Sequence, residues 1–223
     1  MKIKKSYLAA ALAAVCALPI SLCGCGGNTS DPTDGDEIVV GEGMKKYVLE
    51  AEYTPVANVI GGAQSGSASG YDLIMQSDAE GVSNGYFIHN IHMTDCTIVF
   101  EFTAEKAGTA SISVRLISQW GNTIFDPDNF GVVLNGNDIK YGKIQVQGSS
   151  DDKPKFVDKI VTQKAEIKKG DNKLELVVRE NTLNTYTKST GGPAIDCVTI
   201  VTDAGISWTP LTENLDHIGN VEG

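Results

Sequence analysis

Glu50 and Glu52 stand two residues apart in Tyr47-Val48-Leu49-Glu50-Ala51-Glu52-Tyr53, a stretch that reads as a β-strand. Side chains at i and i+2 leave a strand on the same face, so the two carboxylates point the same way and repel unless something positive lies between them. A third acid, Asp196, opens the last strong strand, Ala194-Ile195-Asp196-Cys197-Val198-Thr199-Ile200. A hard cation suits such a set. Calcium takes about six to eight oxygens and mixes carboxylates with backbone carbonyls, which the Gly-rich run Gly61 to Gly70 could lend. The same spacing also suits a pair of solvated acids on an edge strand.

Other chemistries have less to work with. His89 and His92 are three apart, which on a strand sends them to opposite faces, and His217 stands alone near the C-terminus. Neither a phosphate loop nor a Cys-His pairing is present to activate a nucleophile. Acid pairs suited to glycoside hydrolysis remain, but short turns leave little chain from which to build a cleft. The expectation is a protein that binds without catalysing, with a small glycan hydrolase as the lesser alternative.

The elements that must hold these residues are strands. From Tyr47 to about Asp203, short alternating runs recur between turn residues, the pattern of an antiparallel sandwich. Ile98, Phe100 and Phe102 alternate with polar residues, as do Ile112, Val114 and Leu116, and again Leu174, Leu176 and Val178. Further runs near 86–91, 130–135, 143–147 and 156–167 bring the number to eight or more strands, enough for a jelly roll. Asn84-Gly85, Ala107-Gly108, Gly121-Asn122, Asn135-Gly136 and Gly170-Asp171-Asn172 supply turns. No helix is expected.

Upstream of this domain the chain reads as an address. Met1-Lys2-Ile3-Lys4-Lys5 followed by an apolar run to Leu22 is an export signal spanning 1–24. Its end, Leu22-Cys23-Gly24-Cys25, resembles the bacterial lipobox, which makes Cys25 the expected site of lipidation and anchors the protein outside the cytoplasm on the cell membrane. Residues 25–46 are small, polar and acidic, a flexible linker of a length that would hold the domain about 25 Å from the bilayer. Residues 204–223, with Trp208, have no clear period and either pack back or trail.

Removing residues 1–24 takes away three lysines and no acid, leaving 15 basic and 28 acidic residues and a formal charge of −13. Such a surface repels phosphate backbones, so nucleic acid is excluded as a partner, and it suits calcium and neutral sugars. Two cysteines remain in the domain, Cys96 and Cys197. They read either as a disulfide, which export permits, or as buried thiols in neighbouring strands.

The order of motifs resembles the family 6 and family 35 carbohydrate-binding modules, calcium-containing β-sandwiches of the jelly-roll, galactose-binding-like kind. The resemblance covers roughly 47–203. It rests on Leu49-Glu50-Ala51-Glu52, the Gly-rich loop ending at Gly70, Ala107-Gly108 before Ser113-Val114-Arg115-Leu116, Val133-Leu134-Asn135-Gly136, Lys169 to Leu176, and Ile195-Asp196-Cys197-Val198. It implies that Glu50, Glu52 and Asp196 help bind a structural calcium. It also implies a poly- or oligosaccharide partner held at a loop edge, where aromatic rings stack on the sugar and amides read its hydroxyls; Trp120 and Asn122 on one loop and Asn184 and Tyr186 on another are the candidates, Trp120 first among them. The chain departs from the pattern at Ala194, where many relatives carry a ligand-bonding asparagine, and at Ala110, where an aromatic is usual. A monomer is expected. The alternative within this fold is an adhesive surface module without a sugar site.

Overall fold

Alternation of apolar and polar residues becomes thirteen strands among the described residues of the computed structural model, which are 38–57, 59, 70–91, 93–119, 121–149, 155–179 and 192–218. In chain order they are β1 (Lys45–Glu50), β2 (Ile74–Gln76), β3 (Tyr86–Ile88), β4 (Thr97–Ala104), β5 (Gly108–Ile117), β6 (Thr123–Phe125), β7 (Phe130–Leu134), β8 (Asn137–Asp138), β9 (Ile144–Val146), β10 (Val157–Ile167), β11 (Gly170–Val178), β12 (Ala194–Thr202) and β13 (Ile206–Ser207). Among the described residues the helical pieces are three one- or two-turn 3-10 segments, Ala51–Tyr53, Gly70–Leu73 and Thr212–His217.

One sheet runs β10-β5-β12-β3-β2, with β1 also pairing along β12, a second runs β13-β4-β11-β7-β8, and β6 and β9 pair as a separate two-stranded ribbon. All pairings between these strands are antiparallel. The fold is therefore an antiparallel β-sandwich, as the alternation implies. Its core lies between the sheets: Leu49, Ile112, Val114, Leu116, Val198 and Ile200 from the first meet Ile98, Phe100, Val132, Leu134, Leu174 and Leu176 from the second. Burying a Leu, Ile or Phe side chain stabilises by about 1.5–3 kcal/mol, so this layer dominates the folding energy. Asn135 and Gly136, at φ 53° and 80°, form the two-residue link between β7 and β8 that an Asn-Gly pair favours.

Two expectations change here. The first strand ends at Glu50 instead of running through Tyr53. The N–H and hydroxyl of Thr54 both donate to the Ala51 carbonyl, at 3.2 and 2.7 Å; this closes a 3-10 turn, and Pro55 follows. Cys96 and Cys197 are free, buried thiols, but they are not in neighbouring strands: Cys96 precedes β4 in one sheet and Cys197 lies in β12 of the other.

A second, smaller apolar cluster covers part of the outer face of the first sheet. Phe87, Ile117, Phe156 and Ala194 pack there with Ala79 and Val82, so the loop 77–85 folds over the end where β12 begins. That cover decides the environment of the acids.

Candidate metal centre

The carboxylates meet because β12 slips register. Along β5, Ile195 pairs with Leu116 and Cys197 with Arg115, so Asp196 is the extra residue. A bulge of this kind re-aims side chains. Asp196 and Cys197 consequently share one side with Glu50, whose register partner is Cys197. Ligand atoms of Glu50, Asp196 and Cys197 all lie within 4.8 Å of one another.

The loop 77–85 closes this group from outside. Ser83 N–H donates to Asp196 Oδ1 at 2.9 Å, and Ser83 Oγ lies 2.9 Å from Asp196 Oδ2 and 2.5 Å from Glu50 Oε2. A hydroxyl has one proton, so it serves only one of these two carboxylates at a time. Arg115 fills the gap only in part, through an ion pair with Asp196 and a charge that also reaches Glu50. Its Nε and Nη2 bond Asp158 at 3.2 and 2.8 Å and its Nη1 bonds the Gly81 carbonyl at 3.3 Å, leaving Asp196 Oδ2 at 3.6 Å.

Glu52 comes from the 3-10 turn, not from the strand face, and stands outside that 4.8 Å group, though near enough for the charges of Glu50 and Asp196 to act on it. Its Oε1 accepts from Asn84 Nδ2 at 3.0 Å. Its Oε2 is buried and finds no hydrogen-bond partner among the described residues. Burial pushes the Glu52 carboxyl up to about 7, the Asn84 bond opposes this, and the charges of Glu50 and Asp196 add to it. Burial likewise raises Glu50 and Asp196. The Cys197 thiol is pushed far up by burial and then by the Asp196 charge, so it stays protonated and is a poor ligand for a hard ion.

Three carboxylates whose ionised forms are disfavoured by burial, a shared hydroxyl and an orphaned buried oxygen fit a hard, oxygen-seeking cation. Glu50, Glu52, Asp196 and the Ser83 hydroxyl are the groups that would hold it. Sequence reasoning missed Ser83, Asn84, Arg115 and Cys197. Ser83-Asn84 carried a signal, because polar residues ahead of a turn glycine are candidates to fold back on nearby acids; the bulge that recruits Cys197 left none.

The loop edge beside this centre is tied together by Gln119, which follows β5. Its Oε1 accepts from Asn90 N–H at 2.6 Å and its Nε2 donates to the Gly192 carbonyl at 2.5 Å. Ser149 Oγ donates to the Gln119 carbonyl, and Asn122 Oδ1 accepts from Gly148 N–H at 2.9 Å. Asn122 thus holds a neighbouring loop with its carbonyl oxygen. A Cβ on Gly192 would lie 2.2 Å from the Ile91 carbonyl, so glycine permits the close approach there. Trp120, Asn184 and Tyr186 lie outside the described residues, as do His92 and Cys25. Burial lowers the pKa of His89, opposed by a hydrogen bond between its ring and the Asp72 backbone.

No protein-family model matches the chain, and no curated protein matches it. Solved structures do. A family 35 carbohydrate-binding module from an environmental isolate is 19% identical with a TM-score of 0.48, over 74% of this chain and 98% of that one. The family 35 module of Cellvibrio japonicus Abf62 is 14% identical with a TM-score of 0.46, over 74% and 97%. A family 35 module solved with a glucuronic acid containing disaccharide is 15% identical with a TM-score of 0.45, over 72% and 96%. In fold, the chain is similar to the family 35 carbohydrate-binding modules.

Proposed function

We propose that this chain is a non-catalytic carbohydrate-binding protein of the cell surface, anchored by a lipid on Cys25 and stabilised by a structural calcium ion. The observation that carries the reading is the meeting of Glu50 from the first strand with Asp196 from the last strong strand, with buried Glu52 in the turn that follows the first strand, beside a loop edge whose segments are tied by Gln119. When bound, the ion supplies positive charge to carboxylates that otherwise repel. Ser83 and Asn84 orient those carboxylates, and the Phe87, Ile117, Phe156 and Ala194 cluster helps exclude water from them.

The sugar is read at the loop edge. An aromatic ring there stacks on the apolar C–H face of a pyranose while amides satisfy its hydroxyls, and Trp120, Asn122, Asn184 and Tyr186 are the residues proposed for it. A formal charge of −13 favours a neutral or weakly acidic glycan. One observation favours the second reading, an adhesive module without a sugar site: the Asn122 side-chain oxygen is already used by Gly148.

A polysaccharide panel, titrated with and without chelator, tests this reading. Association entropy and hydroxyl desolvation offset much of the contact energy, so dissociation constants between micromolar and millimolar are expected. Trp120→Ala should abolish binding while leaving the calcium-dependent melting temperature nearly intact. Chelation should lower that temperature by several degrees, because a ligand at a hundred times its dissociation constant adds about 2.7 kcal/mol. A panel without any binder leaves the adhesive reading in place, and release of reducing ends would reveal a hydrolase.

A further inference from the structure

The C-terminal segment does not trail from the sandwich. After β13 pairs with β4, the chain reaches the 3-10 segment Thr212–His217, which grips the turn that carries Glu52. Leu211 N–H donates to the Tyr53 carbonyl at 3.0 Å. The Asn214 side-chain amide donates to the Glu52 carbonyl at 2.7 Å and to the Thr54 carbonyl at 2.8 Å. Three successive carbonyls are thus held by one segment, and Asn214 is only 3% exposed. Nearby, the His217 ring stacks on Tyr71 with centroids 4.1 Å apart.

This grip opposes a definite force. Glu52 is fully buried, Asn84 is the side chain that hydrogen-bonds its carboxylate among the described residues, and the charges of Glu50 and Asp196 disfavour its ionised form. Ionised, these carboxylates push the turn outward, and the hydrogen bonds from the C-terminal segment pull it in. A side-chain amide is suited to the task, because its one nitrogen carries two protons and reaches carbonyls on both sides of Tyr53. An aspartate there would set oxygen against oxygen.

We propose that Asn214 is a positioning residue of the cation site: it fixes the turn that aims Glu52, so that cation binding and docking of the C-terminal segment are coupled. This rests on the calcium reading above. Coupling is reciprocal, so calcium tightens the docking by the same factor by which docking tightens calcium.

The test is a calcium titration of the wild type, Glu52→Gln, Asn214→Ala and Asn214→Asp, with melting temperatures in chelator and in saturating calcium. Loss of two buried hydrogen bonds, felt partly at the ion, should weaken calcium binding about tenfold in both Asn214 variants. The gain in melting temperature on adding calcium should shrink with it. A merely structural role would lower both melting temperatures equally and leave the dissociation constant unchanged. In the wild type, saturating calcium should also slow hydrogen exchange at the Leu211 amide.

Wild type and Glu52→Gln differing in affinity, with both Asn214 variants at wild-type affinity, overturns the positioning role and leaves the calcium reading standing. A wild type that binds no calcium overturns that reading, and the coupling with it. Should the Asn214 variants fail to fold, exchange at the Leu211 amide decides alone: no slowing by calcium refutes the coupling.

Discussion

Glu52 is the residue whose protonation most affects the centre. Its carboxyl is raised by burial to about 7 from an ordinary 4.5, so the folded, cation-free protein keeps a proton that the unfolded chain has released. The stability this contributes is fully present below the unfolded value and is lost as pH rises through the folded one. In chelator, the melting temperature of the wild type should therefore fall between about pH 5 and pH 8 more steeply than that of Glu52→Gln. Excess calcium should flatten the wild-type curve, since it favours the ionised form. Matching slopes for the two proteins in chelator would show that Glu52 does not titrate in this way. Glu50 and Asp196 were legible in the sequence because acids bracketing a sandwich are unusual, and the structure brings them together. That Glu52 comes from a turn was not legible: an acid-x-acid pair fits a strand until the Thr54 hydroxyl and N–H close on Ala51. Cys197 was hidden by the bulge, which alternation alone cannot announce.

The loop 77–85 is the element on which the burial of Asp196 depends. Gly81 sits at φ +90° and a Cβ there would lie 2.3 Å from the Phe156 carbonyl, while its own carbonyl accepts from Arg115. Left-handed backbone strain of about 1–2 kcal/mol and the forced displacement of about 1–3 kcal/mol act together. Gly81→Ala should therefore destabilise by roughly 2–4 kcal/mol, read as a lower urea midpoint, and should weaken calcium binding by loosening Ser83 and Asn84. An unchanged midpoint would mean that the loop contributes little. The long strands β4, β5, β10, β11 and β12 were readable because a buried face imposes a period of two. β2, β6, β8 and β13 were not, since two or three residues carry no period and their pairing is set by neighbours far along the chain.

For the molecule as a whole, the address and the domain make separate claims. Cys25→Ala should release the protein from membrane fractions or leave it unprocessed, and unchanged membrane fractionation would place the anchor elsewhere. The domain's organisation has a consequence in time. β12 is the middle of its sheet, with β5 on one side and β3 and β1 on the other, yet it is supplied by residues 194–202. A chain emerging from the ribosome amino end first holds β1, β3 and β5 with nothing to join them until that late segment arrives. Those edges, with unpaired N–H and C=O groups and apolar faces, must wait, and waiting edges are what binding chaperones recognise and what aggregation exploits. The sandwich therefore closes after synthesis of nearly all its residues, and Glu50 of β1 stays exposed to solvent until Asp196 is made.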